Sequence, residues 1–291
     1  LDHIAEAFAG RRTQECETHE RGAKRRAALM PYFTLGYPTV AGSLDIIEAL
    51  ARSGADMIEL GIPFSDPLAD GPTIQHSTQV ALEQGVTVQR CLEMVAELRR
   101  RGVRQPLLLM GYINPILSFG VARFAAAARA AGADGMIVPD LPMEEAGTVE
   151  AACRENGLAL VYLVSPSSPP ERVAALASRA SGFLYLVSLT GVTGAREALA
   201  EGLAGFVGRV REVARTPLAV GFGISTPEQA RAVAQVADGV IIGSALIQAA
   251  GNSTDPARAA AAFLQAVRQA LTSDHDPTAM HSPAAGASSP R

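Results

Sequence analysis

Short apolar runs rich in β-branched residues alternate along the chain with Ala/Arg/Glu-rich stretches whose apolar positions recur at helical spacing. The pattern predicts strands at 29–35, 56–60, 107–111, 135–139, 158–164, 183–187, 217–221 and 239–243. Helices are predicted near 43–53, 88–101, 119–131, 144–156, 170–180, 203–214, 227–235 and 256–271. Strict alternation of this kind means parallel strands joined by helical crossovers. The strands are apolar on nearly every residue, as strands covered on both faces must be. A doubly wound open sheet is the alternative, but eight repeats in about 250 residues with no second-domain break favour a closed (β/α)8 barrel. The N-terminal "LDHIAEAFAGRR" reads as a short extra amphipathic helix. Beyond Thr272 the periodicity stops, so the expectation is one catalytic barrel over 1–272 and a disordered Pro/Ser/Ala-rich tail over 273–291.

Composition narrows this little. Of 291 residues 48% are hydrophobic, and a net charge of −4 with mixed signs leaves no footprint for nucleic acid or an anionic membrane. Cys16, Cys91 and Cys153 are scattered without CxxC spacing, which suggests a reducing compartment. With no secretory signal pattern and no uninterrupted apolar span, a soluble cytoplasmic protein is expected.

Candidate chemistry begins at "IELGIPFSDPLADGP" (58–72), where Glu59 interrupts an apolar strand and a loop carrying Asp66 and Asp70 follows. Barrel enzymes place their reacting groups at strand C-termini and in the loops beyond. Glu59 is therefore a general acid/base candidate with a raised pKa, against the plainer reading of a buried ion pair with an arginine. Asp66 and Asp70 stand between catalysis and ordinary turn chemistry; Asp140 follows the fourth strand. "TGVTGA" (190–195), "GFGIS" (221–225) and "GSALI" (243–247) put glycines after the last three strands, and "GSALI" resembles the opening of a helix, which together suit a phosphate held by backbone N–H groups. Lys24, the only lysine, precedes the first strand, so a Schiff-base aldolase is disfavoured; no zinc-like ligand spacing occurs. A phosphate-binding barrel working with carboxylates alone needs a substrate that supplies its own electron sink. A sugar-phosphate isomerase or epimerase, and a non-catalytic regulatory subunit, are the competing readings.

"PYFTLGYP", "ADMIELGIPFSDPLADGPTIQ", "GADGMIVPDLP", "LVSLTGVTGAR", "GFGISTPEQ" and "GVIIGSALI" occur in the order and spacing of the tryptophan synthase alpha subunit family, which the chain resembles from about residue 1 to 270. The resemblance implies retro-aldol cleavage of indole-3-glycerol phosphate to indole and glyceraldehyde 3-phosphate, with the indole ring as sink. It implies Glu59 as general acid/base, Asp70 as the carboxylate that holds the indole N–H, and Tyr185 as a supporting tyrosine. It assigns Gly194, Gly223, Gly243 and Ser244 to phosphate, Thr193 to a mobile loop, and Tyr32, Tyr112 and Ile137 to the indole pocket, positions that spacing alone reads as barrel core. Leu189 stands where some members carry an arginine. The resemblance further implies no cofactor in this chain, a pyridoxal-phosphate beta subunit as partner in an alpha2beta2 heterotetramer, and docking through 66–75 and "GYINPILSFG" (111–120), with Pro115, Ile116 and Leu117 exposed. Some relatives act alone and release indole.

Overall fold

The computed structural model describes residues 2–9, 26–187, 196–221 and 223–272, with the backbone alone over 196–201. Its strands are β1 Ala28–Thr34, β2 Ile58–Gly61, β3 Leu107–Met110, β4 Gly135–Ile137, β5 Ala159–Val164, β6 Leu184–Val187, β7 Leu218–Gly221 and β8 Gly239–Ile242. The helices among the described residues are α1 Asp2–Ala9, α2 Val40–Arg52, α3 Pro72–Glu83, α4 Val88–Arg100, α5 Ile113–Phe119, α6 Val121–Ala131, α7 Gly147–Glu155, α8 Pro170–Arg179, α9 Arg196–Val213, α10 Pro227–Ala234, α11 Ser244–Gly251 and α12 Pro256–Thr272. The strands pair in parallel in sequence order and β8 returns to β1, so the sheet closes into the expected (β/α)8 barrel. Nearly every strand residue is buried, which explains their almost unbroken apolar character.

All eight predicted strands are present, with ends displaced by at most two residues. Two helices do not show in the hydrophobic pattern. The buried face of α3 is Ile74, Ser77, Thr78 and Ala81, so half of its helical stripe is hydroxyl rather than hydrocarbon. Its start at Pro72 also shortens the loop expected over 66–75. The short α5 contains Pro115, and its first backbone N–H is capped from outside: Ile113 N donates to Asp140 Oδ1 at 2.9 Å. No local sequence rule reports a cap supplied from the loop after β4. Within α5, Ile116 is buried and only Leu117 is well exposed, which corrects the expectation that Pro115, Ile116 and Leu117 form one exposed run. The expected tail, 273–291, lies outside the described residues.

The N-terminal end of the barrel is built for stability. Asp56, Asp134 and Asp238 each precede an even-numbered strand, and each accepts an N–H from the first or second residue of the strand before it, from Leu29, Leu107 and Leu218, at 2.8 Å. Each is also paired with an arginine that reaches the carbonyl two residues upstream of the aspartate. Arg268 takes Asp56 and Gly54, Arg99 takes Asp134 and Gly132, and Arg211 takes Asp238 and Val236. Ser181 performs the backbone part of this for β5, accepting from Leu160 N at 2.8 Å. Ala-Asp occurs in the sequence at 55–56, 133–134 and 237–238, and these aspartates are the clamps.

Helix α1 covers the same end, with Ile4 fully buried, Phe8 packed 5.5 Å from Phe183, and His3 3.0 Å from Asp134. A groove of about 600 Å³ opens there between His3, Arg99, Arg104 and Asp134, far from the strand C-termini. Because the Asp134 side chain is 10% exposed against 37% for Asp238, truncation should be felt unequally. Asp134→Ala is expected to lower the unfolding free energy by roughly 3 kcal/mol, by stranding Arg99 and the Leu107 N–H. Asp238→Ala is expected to cost about 1 kcal/mol. Urea midpoints of the two variants check this, and an equal or larger loss at Asp238 would contradict it.

Candidate active site

Parallel register places Tyr32 of β1, Glu59 of β2 and Leu108 of β3 side by side, and register partners share a face. That face is the barrel interior. The Tyr32 ring lies across Gly61: a Cβ there would stand 2.1 Å from the Tyr32 hydroxyl. Tyr185 of β6 lies across Gly221 of β7 in the same way, at 2.2 Å. Any side chain at Gly61 or Gly221 would evict a tyrosine, so these glycines are the room the two rings need.

Glu59 is fully buried beneath these rings, and neither carboxyl oxygen has a hydrogen-bond partner among the described residues. Among the described residues no arginine pairs with it, against the plainer expectation of a buried ion pair. Burial alone pushes the Glu59 carboxyl from the ordinary 4.5 up to about 8, so it is protonated at neutral pH. Asp70 stands half-buried in the loop after β2. Burial raises its carboxyl to about 6, and the Tyr112 hydroxyl opposes that rise by donating to it. The same hydroxyl accepts from Ala69 N at 2.9 Å, and Phe64 packs on the Tyr112 ring at 5.4 Å. Tyr112 thus ties the Asp70 loop to the end of β3.

Burial, and then the charges of Asp70 and Glu59, hold the Tyr32 phenol well above its usual range. For Tyr185 the causes are burial, then Glu59, Tyr32 and Asp70. The structure therefore brings Glu59 and Asp70 both within electrostatic reach of Tyr32 and Tyr185, and Tyr112 within reach of Asp70 and Tyr32. A carboxylic acid that keeps its proton at pH 7 beside a carboxylate that has lost its own is an acid/base pair set by environment.

Ile137 faces the same interior from β4, in register with Met110. Gly243 is the N-cap of α11 and offers no side-chain cap, leaving the first-turn N–H groups to be met from outside. A Cβ on Gly243 would stand 3.2 Å from the Tyr32 ring, so this helix start adjoins the carboxylate site. Ser244 follows, exposed, and Gly223 sits beyond β7 at φ +73°. Gln248 of α11 donates to Thr73 of α3 at 3.1 Å, across to the segment that follows Asp70. Asp66 is exposed and bonded to its neighbour Ser65. Thr193, Gly194 and Leu189 lie outside the described residues, as does Cys16; Cys91 and Cys153 are buried free thiols. Among the described residues no three His, Cys, Asp or Glu side chains are grouped to hold a metal ion.

Sequence reasoning did not single out Thr34, Ser77, Phe64 or Leu68. Thr34 and Ser77 stand behind Tyr32, Phe64 supports Tyr112, and Leu68 is 94% exposed at the tip of the Asp70 loop. A threonine in a strand and a serine in a helix carry no local signal of such contacts.

Comparison with known proteins agrees with this geometry. The sequence model of the family described as "Tryptophan synthase alpha chain" matches residues 19–275. The tryptophan synthase alpha chain of Chloroflexus aurantiacus is 51% identical over 247 residues, spanning 85% of this chain and 89% of the relative. That of Geobacter sp. strain M21 is 52% identical over 229 residues, or 79% and 84% of the two chains. Among solved structures, the tryptophan synthase subunit alpha of Legionella pneumophila superposes with a TM-score of 0.82 at 38% identity, covering 92% of this chain and 98% of that one. The M. tuberculosis tryptophan synthase in its aminoacrylate-bound form gives 0.79 at 38% identity, with 92% and 99% covered. A family match across nearly the whole barrel, with Glu59 and Asp70 inside it, leaves one conclusion: the chain belongs to the tryptophan synthase alpha chain family.

Proposed function

We propose that Glu59 and Asp70 carry out the carbon–carbon cleavage of this family. As a member, the chain is a lyase of tryptophan biosynthesis that cleaves indole-3-glycerol phosphate to indole and glyceraldehyde 3-phosphate. The observation that carries the residue assignment is a fully buried, unpartnered Glu59 carboxyl beside a half-buried Asp70 at one barrel mouth. Glu59, protonated at neutral pH, delivers its proton to indole C3. The ring then becomes an indolenine and can accept the electron pair of the breaking bond. Glu59, now a carboxylate, takes the proton of the glycerol hydroxyl as the carbonyl of glyceraldehyde 3-phosphate forms. Asp70, ionised, accepts the indole N–H and stabilises the positive charge that develops there. Tyr185 supports Glu59, and Tyr32, Tyr112 and Ile137 wall the ring.

The phosphate is assigned to the uncapped start of α11 at Gly243 and Ser244, with Gly223 and Gly194 beside it and Thr193 in a closing loop. Gly243→Asp is expected to raise the KM for indole-3-glycerol phosphate tenfold or more by setting a like charge at that helix start. Gly243→Ala serves as the control for crowding against Tyr32, and a KM equal in the two variants would contradict the placement.

For the partner, Leu68 on the Asp70 loop and Leu117 on α5 are large apolar side chains exposed at the active-site end, 94% and 56% accessible. They support docking of the beta subunit at this rim, in an alpha2beta2 assembly whose pyridoxal phosphate belongs to the partner. No described helix is long and apolar enough to cross a membrane, in keeping with a cytoplasmic enzyme. The deciding experiment is indole release by the purified chain, with and without a beta subunit. A slow rate that rises strongly with the partner means a channelling subunit. A fast rate alone means a free-standing indole producer, and no rate in either case rejects the assignment.

A further inference from the structure

Glu59 bonds neither of the two tyrosines on the barrel wall beside it, and for Tyr32 a buried chain of hydroxyls explains why. Ser77 Oγ lies 2.8 Å from Ile74 O, and a carbonyl can only accept, so Ser77's single proton goes there. Ser77 Oγ must then accept from Thr34, whose Oγ1 stands 2.7 Å away. With its own proton committed, Thr34 Oγ1 can only accept from the Tyr32 hydroxyl, the longest link at 3.4 Å. Thr34 and Ser77 are completely buried and Tyr32 nearly so. The chain thus has one direction, Tyr32 to Thr34 to Ser77 to the first turn of α3, and it turns the phenol proton away from Glu59. The Tyr32 hydroxyl lies over Gly61, which shares the inward face with Glu59 two residues earlier on the same strand, a spacing of about 7 Å that a glutamate side chain can span. Without Thr34 as acceptor, that proton can turn to the carboxyls whose charges act on the phenol, Asp70 and Glu59.

We propose that Thr34 and Ser77 are positioning residues which keep the Tyr32 hydroxyl from donating to Glu59 and so preserve Glu59 as a proton donor. This rests on the assignment of Glu59 as the general acid. The other groups facing Glu59 do not substitute for the relay. Tyr185, from β6, lies within its field, and Asp70, from the β2 loop, acts on the same two tyrosines, yet neither bonds its oxygens. Asp70 carries no proton to give once ionised. A hydrogen bond from a phenol stabilises the carboxylate form and lowers its pKa, so the relay acts by withholding one. The effect agrees with the high Glu59 pKa, which has burial as its cause and no opposing donor.

The test is the pH profile of kcat/KM for indole release in Thr34→Val, Thr34→Ser, Tyr32→Phe and the Tyr32→Phe/Thr34→Val pair. Thr34→Val keeps the shape and removes the acceptor. Its alkaline limb is expected to move down by about one pH unit, giving a roughly tenfold lower rate at pH 9 and little change at pH 6. Thr34→Ser, which keeps the hydroxyl, should retain the wild-type limb. Tyr32→Phe has no proton to redirect, so its limb stays put, and adding Thr34→Val to it should shift nothing further. An alkaline limb unmoved in Thr34→Val, or one that moves equally in the double variant, overturns the proposal. A lowered rate with no movement of the limb reveals packing alone and overturns it too. Failure of the Glu59 assignment would show separately, as a Glu59→Gln enzyme that still works.

Discussion

Glu59→Gln is expected to lower indole release by a hundredfold or more while making the folded protein more stable at alkaline pH. The two effects have opposite signs because they share a cause. The side chain is nearly isosteric, so pocket shape and partner docking survive, but an amide can neither give C3 a proton nor take one from the glycerol hydroxyl. For stability, the folded carboxyl holds its proton up to about pH 8 while the unfolded one loses it near 4.5. Between those values the native state binds one more proton than the unfolded state, so stability falls as pH rises, by about 1.4 kcal/mol per unit. Above pH 8 the loss levels off, at a total on the order of 5 kcal/mol. Glutamine does not titrate and removes this slope. Urea denaturation of wild type and variant from pH 5 to 9 should therefore diverge, with the variant ahead by a few kcal/mol at pH 8. A variant less stable than wild type at pH 8 would mean that Glu59 has a stabilising partner, and an undiminished indole rate would reject its catalytic role.

The pH profile of kcat/KM is expected to be a bell, bounded by Asp70 on the acid side and Glu59 on the alkaline side. Asp70 works as an anion against a developing positive charge, so activity needs it ionised and should fall below pH 6, where it takes up its proton. Glu59 must start protonated, so activity should fall above pH 8. The optimum then lies between, with each limb falling tenfold per unit. Asp70→Asn keeps a group that can accept the indole N–H but loses the charge; a drop of a hundredfold or more at pH 7 is expected. The acid limb should vanish from the residual rate, because the group that titrates there is gone. An acid limb that persists in Asp70→Asn would assign it to another group. Tyr112→Phe offers a finer reading of the same limb, since Tyr112 holds the Asp70 carboxyl down and its removal should shift the limb upward.

The barrel is legible before any tertiary contact is known, because the elements that make it are written in local pattern. Strands buried on both faces must be apolar throughout, and outer helices must carry one apolar stripe, so eight alternations were legible. Glu59 was legible for the opposite reason: a lone acid in an apolar strand breaks the pattern. The recurring Ala-Asp pairs at 55–56, 133–134 and 237–238 carry no local sign of their use, since an aspartate clamp needs a backbone N–H and an arginine distant in sequence. Asp66 and Asp70 could not be told apart by spacing, as both sit in the same turn-rich loop. Resemblance favoured Asp70, and the fold set it apart physically, leaving Asp66 exposed while Tyr112 holds the Asp70 loop against the barrel. Helix α3 was hidden because its inner face is partly hydroxyl, and those hydroxyls are what meet Thr34. Whether Glu59 found an arginine was also beyond the sequence, which holds many arginines. Only the closed barrel decides that those near its other end are spent on Asp56, Asp134 and Asp238, leaving a protonated acid under two tyrosines. Local pattern fixes what each segment becomes, while the pKa of a buried group depends on which distant segments surround it, and that is a property of tertiary structure alone.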